Sequence, residues 1–188
     1  LIGSVAEEVL RTAPCPVFTV RSGETAVPSE AVHNILVPID FSVASMRALR
    51  HARELALTYG AQITLLHAVE EVVYPSAYGI EPANMPGAQV VERVEDSLAE
   101  LARSELGYEH VLVEANVGYA PSTILDYANN HDVDLITIAT HGRTGLERML
   151  LGSVAERVVR RASVPVFAVK SFGKSLLPNG NGDAPDTV

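Results

Sequence analysis

Asp134-Leu135-Ile136-Thr137-Ile138-Ala139 runs straight into Thr140-His141-Gly142-Arg143-Thr144-Gly145, and a few residues on comes Gly152-Ser153-Val154-Ala155-Glu156. The first block is a short apolar run, too brief for a helix and suited to a strand buried on both faces. The second supplies glycines, which allow positive φ and close backbone approach. The third opens a helix predicted to reach Arg161, with Val164 to Val169 as a further strand behind it. A strand, a glycine loop and a helix start in this order place unsatisfied amides and a positive dipole end where an anion can sit. Ser153 and Glu156 also form a capping box, which accounts for both residues without any ligand. The spacing alone decides neither.

The same alternation extends upstream. Asn34-Ile35-Leu36-Val37-Pro38-Ile39-Asp40 is a strand ending on an acid, and Ser42 caps a helix whose stripe of Ala48, Ala52, Leu55 and Ala56 is closed by Gly60. Gln62 to Val69 and Val111 to Val117 are strands, 89–104 is a helix, and Pro121 sits in the first turn of a helix to about Asn130. The proline- and glycine-bearing stretch 74–87 is a long loop. Strands alternating with helices predict an α/β fold, Rossmann-like, with a parallel sheet, helices on both faces and ligands beyond the carboxyl ends of the strands.

The chain also repeats itself. Ile2-Gly3-Ser4-Val5-Ala6-Glu7-Glu8-Val9-Leu10-Arg11 returns as Leu151-Gly152-Ser153-Val154-Ala155-Glu156-Arg157-Val158-Val159-Arg160, and Pro16-Val17-Phe18-Thr19-Val20 returns as Pro165-Val166-Phe167-Ala168-Val169. The offset is constant at 149 residues, from Ser4 to Ser153, which is about one domain length. Residues 1–22 are therefore expected to be the last helix and strand of a truncated preceding repeat. Residues 23–31 are expected to be a linker, 32–171 one complete domain, and 172–188 a disordered tail.

Composition narrows the function. With 188 residues there is room for one ordinary domain, and 47% hydrophobic against 20% charged residues suits a folded protein. A net charge of −9 without a basic, aromatic-interleaved run argues against nucleic acid, and no stretch approaches the roughly 20 apolar residues of a membrane span. The lone Cys15 suits a reducing compartment, so a cytoplasmic location is expected. His67 and His141 belong to no spaced cluster of zinc-ligand type, so no metal site is expected. The Walker and dinucleotide glycine patterns are both missing.

Three stretches, from Ile35 to Ser42, from Leu65 to Val69 and above all from Thr140 to Val169, make the chain resemble the universal stress protein family over 32–171, and 1–22 is similar to that family's last helix and strand. The resemblance implies a five-stranded parallel sheet of order 3-2-1-4-5 in the adenine-nucleotide α-hydrolase-like manner, and dimers formed through the last strand. It also implies ATP, with Mg²⁺ as its companion ion, bound through the pattern G-x2-G-x9-G-[ST]. Gly142, the nine residues after it, Gly152 and Ser153 match, while Ala139 replaces the first glycine. Carried over residue by residue, Pro38, Ile39 and Asp40 form a wall and ribose contact, and Ala68 meets adenine through its backbone. His141, Gly142 and Arg143 line the loop, and Gly152, Ser153, Val154 and Ala155 face phosphate. The expected role is a nucleotide-dependent regulator in stress response, not an enzyme, with only slow hydrolysis left open. The alternative is a nucleotide-free dimerisation module. An enzyme of the wider superfamily would need a signature that the chain lacks. Pro16–Val20 is expected to lie antiparallel to Pro165–Val169, as an intramolecular counterpart of the homodimer.

Overall fold

The computed structural model describes residues 3–20, 32–70, 87–142 and 151–170, together with 174, 175 and 177. The chain first forms helix α1 (Ser4–Thr12) and strand β1 (Val17–Thr19). The complete unit follows as β2 (Asn34–Pro38), α2 (Val43–Tyr59), β3 (Gln62–Val69), α3 (Gly87–Leu101), β4 (Val111–Val117), α4 (Ala120–Asn130), β5 (Leu135–Ala139), α5 (Ser153–Arg161) and β6 (Val166–Val169). A π-helical turn, Ala102–Leu106, extends α3 and ends at Gly107, whose φ is +53°.

The sheet corrects the expected one in number and sense. It has six strands in the order β1-β6-β5-β2-β3-β4, and it is mixed, because β1 joins antiparallel to β6 while the other pairs are parallel. Within 32–171 the five strands keep the order 3-2-1-4-5. The sixth strand comes from the repeat. An isolated strand of three residues has no stability of its own, and β6 offers it a row of unpaired backbone groups. Val17 pairs with Ala168, Phe18 with Phe167, and Thr19 with Val166. Phe18 and Phe167 are equivalent positions of the two repeats, so a local two-fold passes through this pair, as in an isologous interface.

Two apolar layers sandwich the sheet. Ala48, Leu49, Ala52 and Ala56 of α2 pack on Ile35, Val37, Ile63 and Leu65, and the small side chains let the helix approach closely. On the other face Ile124 and Ala128 of α4 and Val158 and Val159 of α5 cover Leu36, Leu66, Ile136 and Ile138, with Leu10 of α1 among them. Helix α1 is tied down further by two contacts. Arg160 donates to Glu7 Oε2 at 2.7 Å, and Lys170 Nζ, 2% exposed, donates to the carbonyl of Arg11 at 2.8 Å. Burial pushes the Lys170 ammonium below its ordinary pKa, with the nearby Cys15 opposing that shift. The linker expected at 23–31 lies outside the described residues. So does most of 172–188, where Lys174 donates its amide to the Pro14 carbonyl at 2.7 Å.

Candidate functional site at the carboxyl edge

Strands β2 and β5 lie side by side, and the chain leaves them in opposite directions, β2 towards β3 and β5 towards β6. This is the topological switch point where parallel sheets leave a crevice. Asp40 stands at its floor. Its Oδ1 accepts from the amide of Ser42 at 3.0 Å and from the Ser42 hydroxyl at 2.6 Å. Ser42 Oγ in turn accepts from the Ser45 amide at 3.1 Å as the N-cap of α2. Between them Phe41 takes φ +61°, a left-handed conformation that is uncommon for an aromatic residue and whose strain the turn must hold. His67 supports the same turn from β3. Its Nδ1 lies 2.6 Å from the Ile39 carbonyl, and its ring centroid is 5.1 Å from that of Phe41.

Across the crevice, β5 ends at Ala139, and Thr140 donates its amide to Val169 at 2.9 Å. Gly142 follows, pressed against Asp40: a Cβ at this position would stand 2.8 Å from Asp40 Oδ2. The second glycine is held in the same way. Gly152 donates its amide to the Thr140 carbonyl at 2.7 Å, and a Cβ there would come within 3.0 Å of that oxygen. The glycines thus bring the ends of β2, β5 and α5 to one spot.

Helix α5 begins at this spot. Gly152 is its N-cap and Ser153 its first helical residue, so the capping box anticipated at Ser153 gives way to a cap without a side chain. The first intrahelical bond runs from Glu156 to the Gly152 carbonyl at 2.9 Å, which leaves the amides of Ser153, Val154 and Ala155 without an acceptor within the helix. Ser153 is exposed, Val154 half-buried and Ala155 buried. The first-turn amides, the positive helix end and the Ser153 hydroxyl are donors suited to phosphate oxygens. The chemistry of the donors therefore fits a nucleotide phosphate chain.

Of the other expected residues, Pro38 closes β2 half-buried and Ile39 is buried, donating its amide to Leu66 at 2.9 Å. Ala68 is half-buried near the end of β3. His141 follows Thr140, whose hydroxyl lies 2.9 Å from its Nδ1. Arg143 lies outside the described residues. Ala139 is 8% exposed and belongs to the core on the α2 face, so the methyl that replaces the family's first glycine packs among apolar side chains. Among the described residues, no group of three or more His, Cys, Asp and Glu side chains is placed to hold a metal ion. No described helix is long and apolar enough to cross a membrane.

The sequence reading missed Phe41 and its strained turn, and it named His67 only as a histidine outside any metal cluster, without its role as the brace of that turn. An aromatic residue between a strand-ending acid and an N-cap was the available signal. It also missed Tyr119, the N-cap of α4, over whose ring the Arg157 guanidinium sits 5.3 Å from the centroid.

The universal stress protein family profile matches residues 31–170. A universal stress protein of Methanocaldococcus jannaschii is 30% identical over 153 residues, covering 80% of this chain and 86% of the relative. One from Mycobacterium tuberculosis is 32% identical over 174 residues, covering 90% of this chain but 56% of its own, so the chain spans about half the length of that relative. Among solved structures, a universal stress protein from Archaeoglobus fulgidus superposes with a TM-score of 0.64 at 26% identity, over 90% of this chain and 56% of that one. A universal stress protein in complex with cAMP shares the fold at a TM-score of 0.55 and 21% identity, over 74% and 98%. With the profile covering most of its length, the chain belongs to the universal stress protein family.

Proposed function

We propose that this chain binds ATP at the carboxyl edge and acts as a nucleotide-dependent regulator in stress response, and that it is not an enzyme. The observation that carries this reading is the convergence of Asp40, Gly142 and the first-turn amides of α5 at the switch point, with Gly142 seated on the Asp40 carboxylate. In this reading Asp40 accepts ribose hydroxyls, and the amides of Ser153 to Ala155 donate to phosphate. The solved relative holding cAMP supports a nucleotide as the ligand class. The described residues offer no assembled metal site, so a cation such as Mg²⁺ would draw most of its oxygens from the phosphates. No described side chain pairs a nucleophile with a base at the crevice, which favours binding over turnover. The acidic charge and lone cysteine are in keeping with action in the cytoplasm, on neither nucleic acid nor membrane.

A tandem origin fits the repeat. Val158 of α5 is fully buried, whereas its equivalent Val9 of α1 is 46% exposed, so among the described residues α1 has no counterpart of the layer that α4 supplies to α5. Strand β1 occupies the edge of β6 that a second copy would need for a homodimer, which favours an intramolecular pseudo-dimer. Ala139 favours the second reading, a nucleotide-free interaction module. Calorimetric titration of nucleotide-stripped protein with ATP and Mg²⁺ separates the two. Saturable binding near one site per chain is expected, and no heat of binding up to millimolar ATP leaves the interaction module.

A further inference from the structure

Arg157 stands on α5 four residues beyond Ser153, and both side chains are exposed. Residues four apart share a helix face and are about 6 Å apart along the axis. Arg157 therefore stands one turn along from the amides that open the helix. Its guanidinium is parked on the ring of Tyr119, 5.3 Å from the centroid, and Tyr119 caps α4 just after β4 ends, at the same carboxyl edge of the sheet. The internal repeat gives an independent comparison. Along Ser4–Arg11 and Ser153–Arg160 the two copies are alike, except that Glu8 stands where the second copy has Arg157 and Leu10 where it has Val159. Leu for Val keeps the apolar packing, but Glu for Arg reverses the charge at one exposed position. On α1, Glu8 pairs with Arg11.

We infer that Arg157, presented by Tyr119, sets the specificity of the crevice for nucleoside polyphosphates over uncharged nucleosides and monophosphates. This rests on the nucleotide reading above. An Arg beside a helix N-terminus adds charge-assisted donors for phosphate oxygens that the first-turn amides do not reach, and it repays its release from the Tyr119 ring only when such oxygens are present. Glu at this position, as in the first repeat, would repel the same phosphates.

The affinities of the full chain for ATP, AMP and adenosine, measured by calorimetry on wild type, R157Q, R157K and R157E, test the assignment. Arg157 is exposed, and melting temperatures confirm that each variant is folded. R157Q is expected to lower the ratio of ATP to adenosine affinity about ten-fold or more, the worth of a hydrogen bond to a charged group. R157E should lower it further, and R157K should restore part of it. An unchanged ratio in R157Q and R157E overturns the role of Arg157 while leaving nucleotide binding intact. Failure of the wild type to bind any of the three ligands overturns the nucleotide reading and this inference with it.

Discussion

A methyl group on Gly142 would meet Asp40 Oδ2 at 2.8 Å, and that carboxylate is not free to swing aside, because its other oxygen holds both the amide and the hydroxyl of Ser42. G142A should therefore cost about 1–3 kcal/mol of stability through local overpacking. If Asp40 is the ribose acceptor, the variant should also weaken ATP more than ten-fold, roughly the loss of one charge-assisted bond. Urea denaturation and calorimetry on the same preparation check both. An unperturbed midpoint would show that Asp40 yields to the methyl without cost. At Gly60 the constraint is of another kind. Its φ is +69° with open space around it, so G60A should cost only about 1 kcal/mol, from left-handed strain at the end of α2. The glycine pattern at 142 and 152 was legible in the sequence, but its reason was only half so. Spacing suggests a ligand's approach, whereas the structure shows protein atoms already in contact. No local pattern reveals that Asp40 and Gly142, a hundred residues apart, touch. The left-handed Phe41 was legible at most from its place between a strand-ending acid and an N-cap, since an aromatic side chain does not itself announce positive φ.

Among the elements, α1 and α5 form an experiment already set up by the repeat. Val9 and Val158 have the same side chain at equivalent positions on near-identical helices, yet one is 46% exposed and the other fully buried. V158D places an unpaired carboxylate in the layer formed by Ile136, Ile138 and Ala155, and it should cost more than about 3 kcal/mol or abolish folding. V9D should stay within about 1 kcal/mol of wild type. Equal losses in chemical denaturation would mean that α1 is covered as α5 is. Most strands and helices were legible from period, caps and breakers, because buried β-branched runs and alanine stripes leave strong local signals. The sixth strand was legible only through the repeat: Val17–Thr19 is too short to read as a strand from its own residues, and its equivalence to β6 is what marks it. Ser153 was misplaced by one residue. A Ser with Glu three positions on is a capping signature, but the Gly152 amide is drawn to the Thr140 carbonyl, and that bond makes the glycine the cap.

Across the whole molecule, the junction between α1 and the strands behind it carries its own pH signature. Lys170 is buried beneath α1, with its pKa lowered from the ordinary 10.5 chiefly by desolvation, and its Nζ donates to Arg11. Between that lowered value and 10.5 the unfolded chain binds more protons than the folded one, so this group makes stability rise as pH rises through the window. Burial of Tyr127 acts oppositely: its raised pKa makes the folded state hold a proton that the unfolded chain loses above about 10, so its contribution falls there. The difference between wild type and K170M isolates the lysine. That difference should shift in favour of wild type as pH climbs towards 10.5, and a flat difference would mean that Lys170 titrates alike in both states.

The central claim is that phosphate oxygens seat on the first turn of α5, with Asp40 and Gly142 beside them. Amide NMR during ATP titration tests it at the atoms concerned. The account predicts that the amides of Gly142, Ser153, Val154 and Ala155 shift most and saturate together, with those of α1's equivalent Ser4, Val5 and Ala6 unmoved. Shifts centred elsewhere, or shared equally by the starts of both helices, would contradict it.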